Sequence, residues 1–214
     1  MAKTIVTLES RKAEFQKKLD PLYPGIGDVD AEKMAKARKF LKKTIAELDC
    51  KGDKKAVAEK KLLMECLGEV VMRAAKDVTA DRREQGAAAS FYFGGAKADG
   101  PREERKLAVS CLGSLMKAEV KKPHAEVNPE SIGRAADMLR LFGDAHAVAA
   151  LREAGKGLEI AAAKLAEFSH MLETPHSPNE LRFAAKHVEE IARGLEAAEN
   201  AKPSADELKN NALK

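Results

Sequence analysis

Aromatic residues are scarce in this sequence, and the scarcity limits the folds that it can form. None of the 214 residues is tryptophan, two are tyrosine and seven are phenylalanine. With only 14 glycines and few β-branched residues, a sandwich, a barrel or a parallel α/β sheet is disfavoured. Alanine, the best helix former, is abundant instead and lets helices pack closely across small side chains. The composition therefore predicts an all-α fold.

Cysteines and long apolar runs are also scarce. Cys50, Cys66 and Cys111 are too few and too widely spaced for a disulfide scaffold, so we expect a reducing, cytoplasmic compartment. Cys66 and Cys111 fall within apolar helical patterns and are expected to be buried packing residues. No apolar run approaches the roughly 18 residues that a membrane span needs, and residues 1–10 lack the core of a signal peptide. The sequence predicts a soluble protein with no transmembrane segment.

Apolar spacing and capping residues divide the chain into seven or eight amphipathic helices in a compact, bundle-like arrangement. The strongest start signal is Ser177-Pro178-Asn179-Glu180, which combines a cap, a proline at the first helical position and a glutamate that can reach back. The helix after Asp53 has the widest apolar arc and is predicted to be central. The predicted helices span, in chain order, Thr7 to Asp20, Asp28 or Asp30 to Asp49, Asp53 to about Asp77, Pro101 to Lys121, Asn128 to Gly143, Asp144 to Leu172, Ser177 to Asn200 and a short tail from Ser204.

Glycines fall inside several of these helical patterns. A break at Gly155-Lys156-Gly157 is favoured over a continuous helix, because each interior glycine costs about 1 kcal/mol relative to alanine. A ten-residue pattern ending in Cys-Leu-Gly also occurs twice, over residues 59–68 and 104–113. Two copies are fewer than the roughly three that a solenoid needs, so a repeat and chance both stay open. If the repeat is real, we expect close helix approach at Gly68 and Gly113.

The segment from Gly86 to Gly100 is predicted to be a long connection, because glycines interrupt its helical pattern. It contains Phe91, Tyr92 and Phe93, three of the nine aromatic residues. Consecutive side chains of an extended chain alternate sides, so at least one ring is expected to be exposed or covered by a partner. Two roles stay open for these residues, which are anchoring the connection to the core and forming a partner-binding tip.

Charge is distributed unevenly along the chain around a net value of +4. Residues 1–122 form a basic helical part and residues 123–200 an acidic one, and we predict that they pack together as one unit. Residues 201–214 offer few apolar side chains to bury and are predicted to be a mobile tail. The asymmetry indicates either a basic surface for an anionic partner or mutual attraction between the two parts.

Four residues are candidates for anion binding. Lys36, Lys39 and Lys43 lie opposite an apolar helical stripe, which is also where an ordinary solvated face would place them. Arg102 follows a Gly-Pro step at a helix start and is a candidate anion clamp. One aromatic residue, Phe40, lies among the lysines, which is too few for a series of base-stacking rings, and no zinc-finger, KH or RRM motif is present.

Motifs for metal binding and catalysis are incomplete. Glu167 and His170 have the spacing of a di-metal ligand pair, but such sites need a second pair on another helix. The only other pair, Glu173 and His176, is adjacent and interrupted by Pro175. No P-loop and no nucleophile with a neighbouring base is found. The sequence predicts no metal, no cofactor and no catalytic residue, and an enzyme is disfavoured.

Together these features predict a cytoplasmic helical protein-protein interaction module, meaning a scaffold, adaptor or effector domain. Binding of another protein is expected through a helix face or through the aromatic segment 90–95. The alternative is an electrostatic binder of nucleic acid or an anionic lipid surface through the basic helices in residues 30–61.

Overall fold

A computed structural model shows an all-α fold, which confirms the predicted class. It describes residues 8–25, 30–80, 83–168 and 175–201, and over these residues it contains no strand. Apart from Ala201, the predicted tail lies outside the described residues. The helices are α1 (Leu8–Leu19), α2 (Ala31–Lys51), α3 (Lys54–Thr79), α4 (Arg83–Asp99), α5 (Arg102–Glu119), α6 (Pro129–Phe142), α7 (Ala147–Phe168) and α8 (Pro178–Asn200), with short 3-10 helices at Asp20–Leu22 and His124–Glu126.

Capping side chains begin four of these helices at the predicted positions. Asp30, Asp53 and Asn128 each accept a hydrogen bond from a backbone N–H in the first turn of α2, α3 and α6. At the start of α8, the backbone N–H of Glu180 donates to the Ser177 hydroxyl at 3.2 Å. The backbone N–H of Ser177 donates to the Glu180 carboxylate at 2.6 Å, which completes the predicted capping box.

The hydrophobic core is continuous and includes side chains from all eight helices. Helix α3 is central, as its wide apolar arc predicted, and contacts α1, α2, α4, α5 and α6. The most extensive helix contact is between α7 and α8, where the buried residues are leucine, isoleucine, valine, alanine and glycine. None of the described helices is long and apolar enough to cross a membrane.

The prediction of a long connection from Gly86 to Gly100 was wrong, because this segment forms most of α4. Its alanines are strong helix formers, and its buried positions follow helical spacing. Burial of one aromatic and apolar face compensates for the interior glycines. The buried side chains of α4 are Ala89, Tyr92, Phe93 and Ala96.

The predicted break at Gly155-Lys156-Gly157 was also wrong, because α7 runs without interruption through these residues. A Cβ at position 157 would lie 2.6 Å from the Cβ of Val120, the C-cap residue of α5. Glycine therefore lets α7 contact the end of α5 closely. This contact and the burial of α7 against α8 offset the low helix propensity of glycine.

The two glycines of the duplicated pattern have different surroundings. A Cβ at Gly113 in α5 would lie 3.2 Å from the Cβ of Ala150 in α7, which is the close approach that was expected. A Cβ at Gly68 in α3 would meet no atom within 4 Å, so the expectation was wrong at that position.

Candidate interaction groove between α2 and α4

A groove of about 710 Å³ lies between α2 and α4. Its volume falls within the range of roughly 300–1,000 Å³ that is typical of ligand pockets. The lining positions recur every three or four residues along each helix, so each set occupies one helix face. The lining residues are Ala31, Met34, Ala35, Arg38, Lys39 and Lys42 from α2, and Phe91, Gly94, Gly95 and Asp99 from α4.

Phe91 is the aromatic side chain that α4 presents to solvent. It is 53% exposed, whereas Tyr92 and Phe93 are both 0% exposed. The Tyr92 ring lies 5.6 Å from that of Tyr23, and the Phe93 ring lies 6.0 Å from that of Phe142. Tyr92 and Phe93 are thus core residues, and their buried rings offer no surface to a partner. Of the three aromatic candidates, Phe91 is the residue whose ring is exposed enough to contact a partner.

Two glycines in the following turn shape the groove beside Phe91. A Cβ at Gly94 would meet no atom within 4 Å, so this position leaves open space. A Cβ at Gly95 would lie 2.6 Å from Nη1 of Arg38. The absence of a side chain at Gly95 is what lets the Arg38 guanidinium lie against α4.

Arg38 forms a buried ion pair with Glu104 of α5. Its Nε lies 3.5 Å from Oε1 of Glu104, and the two side chains are 7% and 0% exposed. Nη2 of Arg38 donates to the carbonyl oxygen of Tyr92 at 3.2 Å, and the guanidinium carbon lies 5.7 Å from the centre of the Tyr92 ring. A Cβ at Gly100 would contact the carbonyl oxygen of Ala96 even more closely than Oε2 of Glu104, which would lie 2.7 Å away. Glycine on α4 and glycine after it therefore make room for both charged groups.

Burial makes this ion pair electrostatically expensive. Desolvation raises the pKa of Glu104 above its ordinary value, although the positive charge of Arg38 opposes the shift. Desolvation and the nearby Glu104 carboxylate also raise the pKa of the Tyr92 hydroxyl well above its ordinary value. The Arg38 guanidinium and the Tyr92 hydroxyl lie close enough to the Glu104 carboxylate to favour its charged form, but neither contact reaches good hydrogen-bond geometry. Incomplete pairing of buried polar groups adds to the cost, by about 1–3 kcal/mol for each group left unpaired.

The lysines that the sequence singled out lie differently with respect to this groove. Lys36 pairs with Glu32 at 2.5 Å, and Lys43 pairs with Glu47 at 3.6 Å, each one turn away on α2. Lys39 lines the groove itself. The exposed pairs at Lys36 and Lys43 contribute little to stability, about 0.3–0.5 kcal/mol each, but they offset the charge of these two lysines.

The groove retains positive charge from Lys39 and Lys42. Both residues are exposed, and among the described residues no carboxylate lies within 4.0 Å of either ammonium group. Asp99 is the one acidic residue among those that line the groove. An exposed aromatic ring therefore shares this surface with two exposed cationic side chains, Lys39 and Lys42, whereas the charge of Arg38 is buried and paired with Glu104.

Arg102 does not line this groove. It lies at the start of α5 and lines a second cleft together with Lys106 and His146. The structure thus separates the four predicted anion-binding residues. Two of them are paired with glutamates on α2, Lys39 is in the groove, and Arg102 is in the second cleft.

The cysteines and the metal candidates lie apart from both surfaces. Cys50 is exposed, whereas Cys66 and Cys111 are buried, as predicted, and burial raises the pKa of both buried thiols. Glu167 pairs with Lys164 at 3.2 Å, while His170 lies outside the described residues. No group of three histidine, cysteine, aspartate or glutamate side chains that could hold a metal occurs in the described part of the chain.

Sequence reasoning missed Arg38, Lys42, Gly95 and Glu104 as parts of this site. Glu104 was noted only as the first residue of the duplicated pattern over residues 104–113. The sequence did contain a signal for Arg38, because this residue lies four positions after Met34, within an apolar stripe of α2. That stripe consists of Met34, Arg38, Leu41 and Ile45, all of which are buried.

The side chains that line the groove are suited to binding a ligand. Its lining contains an exposed ring, cationic side chains and one carboxylate, but no histidine, cysteine or hydroxyl side chain. These residues supply no pair of nucleophile and base. The chain matches no protein-family model, no curated protein and no solved structure.

Proposed function

We propose that the protein is a helical interaction module that binds an acidic amphipathic helix of a partner protein in the groove between α2 and α4. The observation that carries the proposal is Phe91, which is 53% exposed in a groove also lined by Lys39 and Lys42, two exposed lysines with no described carboxylate within 4.0 Å. Exposed aromatic side chains at the centre of a binding surface contribute most of the affinity in many interfaces.

The dimensions of the groove favour a helical ligand. The lining of α2 extends from Ala31 to Lys42, which corresponds to about 16 Å at the rise per residue of an α-helix. A partner helix of three turns has the same length. Its apolar face would contact Phe91 and the exposed alanines Ala31 and Ala35, as in the helix-in-groove mode of peptide recognition.

The charges of the groove favour an acidic ligand. Lys39 and Lys42 stand at its edge, and Asp99 is the one opposing charge in the lining. Carboxylates on the polar face of a partner helix would lie close to both lysines. Complementary charges of this kind raise the association rate and suppress binding of basic partners.

The electrostatic alternative, binding of nucleic acid or anionic lipid through residues 30–61, has less support. Four of the lysines in these residues have carboxylates within 4.0 Å, which reduces the net positive charge of the surface. Phe91 would have no role in such a surface. The paired lysines are Lys33, Lys36, Lys43 and Lys60.

A display library of amphipathic helices of about 11 residues, the length of three turns, tests the proposal, with acidic, neutral or basic polar faces. We expect wild-type protein to enrich acidic members. Phe91→Ser should weaken their binding by about 30-fold, a loss typical of a hot-spot residue. Phe183→Ser is the matched control, because Phe183 on α8 is even more exposed, at 77%, and does not line the groove.

Three outcomes would contradict this proposal. They are enrichment of basic helices, no enrichment of any helix, and equal loss of binding in the two phenylalanine variants. Binding of single-stranded DNA or anionic vesicles that depends on Lys36 and Lys43, and not on Phe91, would favour the electrostatic alternative. Both serine variants are expected to keep the wild-type melting temperature, because exposed substitutions usually change stability by less than about 0.5 kcal/mol.

A further inference from the structure

A second cleft, of about 720 Å³, lies between α5 and the start of α7. On α5 it is lined by Arg102, Lys106, Ser110 and Ser114. These four side chains recur every four residues and therefore lie along one face of the helix. His146 stands opposite them, immediately before α7. The cleft thus presents a row of cationic and hydroxyl groups.

Small residues form the floor of this cleft. A Cβ at Gly113 would lie 3.2 Å from the Cβ of Ala150, so α5 and α7 approach closely there. Ala147 and Ala150 form the α7 side of the same floor. Long side chains on α5 consequently stand at the rim, where they can close over a ligand that lies on the floor.

Two cations of this cleft are engaged by the protein itself. Lys117 pairs with Glu153 at 2.7 Å, and Arg105 donates to a backbone carbonyl oxygen at 3.0 Å. Arg102 and Lys106 differ from them, because no described carboxylate lies within 4.0 Å of either side chain. Two exposed cations one helical turn apart therefore remain free for a ligand.

Acidic groups near the cleft are directed to other partners. Asp144, the one acid in the lining, accepts from the backbone N–H of His146 at 2.9 Å and lies 2.7 Å from its ring Nδ1. Glu103, next to Arg102 in sequence, lies 4.0 Å from Lys60 of α3. The positive charge at the Arg102 end of the cleft is therefore not cancelled by these carboxylates.

We infer that this cleft binds a small ligand with an oligophosphate group, such as a nucleoside triphosphate or an inorganic oligophosphate. The Arg102 guanidinium can hold one phosphate through two parallel hydrogen bonds. Lys106, one turn further along, supplies charge to the next phosphate, and the hydroxyl of Ser110, one turn beyond Lys106, donates to a phosphate oxygen. This site is distinct from the groove between α2 and α4.

A nucleic-acid ligand fits the cleft less well. Strands are held by a tract of cations along successive phosphates and by aromatic rings on which bases stack. The lining offers two free cations and no phenylalanine, tyrosine or tryptophan. Its volume is that of a small-molecule pocket.

Titration calorimetry of the full chain with inorganic tripolyphosphate at about 0.15 M salt tests the inference. We expect saturable binding with one site. Arg102→Gln combined with Lys106→Gln should weaken binding at least about tenfold, whereas Lys61→Gln should change it less than about twofold. Lys61 is the matched control, because it is an exposed lysine on α3 that does not line the cleft.

Further titrations distinguish a nucleotide from an inorganic oligophosphate as the ligand. Arg102→Lys keeps the charge but loses the paired donors, so its effect should be intermediate. A nucleoside triphosphate that binds more tightly than tripolyphosphate would identify a nucleotide, and weaker binding would identify the inorganic ligand. Phe91→Ser should leave tripolyphosphate binding unchanged, which separates this site from the proposed interaction groove.

Several results would overturn the inference. Absence of binding at about 1 mM tripolyphosphate is one, and equal affinity of all variants is another. A single-stranded oligonucleotide that binds more tightly than tripolyphosphate and loses affinity in the double variant would assign the cleft to nucleic acid instead. The substituted residues are exposed, so circular dichroism should show wild-type folding in every variant.

Discussion

The region where α7 meets α5 and α8 and the region where α2 meets α4 and α5 both use glycine for close packing, but against opposite chemistry. In the first, Gly157 admits the apolar side chain of Val120. In the second, Gly95 and Gly100 admit the charged ends of Arg38 and Glu104. Even where a glycine in a helical pattern marks a close approach, the glycine alone does not indicate what approaches.

The two regions also differ in what they contribute to stability. Every buried side chain that the structure describes in α7 and α8 is apolar, and its burial favours folding by about 25 cal/mol for each Å². A buried ion pair must first repay the desolvation of two charges, so it is weak evidence for stability. The region with the buried ion pair also carries the exposed Phe91. Departures from an apolar, well-packed core are expected at functional sites.

The largest effect that we expect comes from breaking the buried pair. Glu104→Ala leaves the Arg38 guanidinium buried without a counter-charge, which should lower the free energy of unfolding by about 3–5 kcal/mol. Leu158→Ala in α7 removes a fully buried apolar side chain and should cost about 2–5 kcal/mol through lost burial and a cavity. Urea denaturation at neutral pH measures both.

A double substitution distinguishes the two regions. Arg38→Met combined with Glu104→Leu replaces the pair by apolar side chains and should restore most of the loss, because such replacements are often neutral or stabilising. No second substitution of this kind can restore the stability that Leu158→Ala loses, because that loss comes from a cavity in the core. Additive losses from the two substitutions at Arg38 and Glu104 would contradict the account of this region.

The next effect appears only at alkaline pH and concerns the two tyrosines, Tyr92 beside the buried ion pair and Tyr23, whose ring lies 5.6 Å from that of Tyr92. Burial raises the pKa of Tyr23, whose hydroxyl donates to Asp77 at 2.8 Å, and burial also raises the pKa of Tyr92. The stabilisation is complete below the ordinary value of about 10 and is lost as pH rises through the native values. Ionisation should therefore coincide with unfolding.

Ultraviolet absorbance of tyrosinate measures this directly, since the chain has two tyrosines and no tryptophan. We expect one cooperative step at which helical circular dichroism is lost. Ionisation near pH 10 with unchanged dichroism would contradict the burial of these rings. Tyr23→Phe leaves Tyr92 as the single chromophore and should halve the amplitude.

Local signals and long-range contacts explain which parts of the fold were predictable. The starts of α2, α3, α6 and α8 were predicted because a cap interacts with residues two or three positions away. The helix over Arg83–Asp99 was missed because its glycines are compensated by tertiary burial, which local propensity does not contain. Sequence order likewise could not show that Arg38 would lie against residue 92, which is 54 positions away.

The candidate site was predictable only in part, for the same reason. Phe91 and Lys39 were each selected from local patterns, but their shared groove depends on the contact between two helices. An extended segment would place Phe91 and Phe93 on one side and Tyr92 on the other, whereas the burial of Tyr92 and Phe93 with Phe91 exposed follows from the helical period. Arg38 was the one member of the buried pair with a local signal, its place in an apolar stripe.

The smallest expected changes in stability come from replacing glycines inside helices by alanine. Gly68→Ala in α3 adds a methyl group where no atom lies within 4 Å, so better helix propensity should stabilise the protein by about 0.5–1 kcal/mol. Gly157→Ala adds the same group 2.6 Å from the Cβ of Val120. That side chain branches at Cβ and cannot move away without a shift of α5, so overpacking should destabilise the protein by about 1–3 kcal/mol.

The same substitution is thus expected to stabilise the protein at position 68 and to destabilise it at position 157, and a further substitution tests the reason. Val120→Ala in the Gly157→Ala background removes the Cγ atoms that would lie 2.8 and 3.0 Å from the new Cβ, so it should recover part of the loss. The same substitution in the wild type should only lower stability. Thermal unfolding of the four variants gives the comparison. If Gly157→Ala proved as stabilising as Gly68→Ala, close packing would not be the reason that α7 tolerates glycine where the sequence indicated a break.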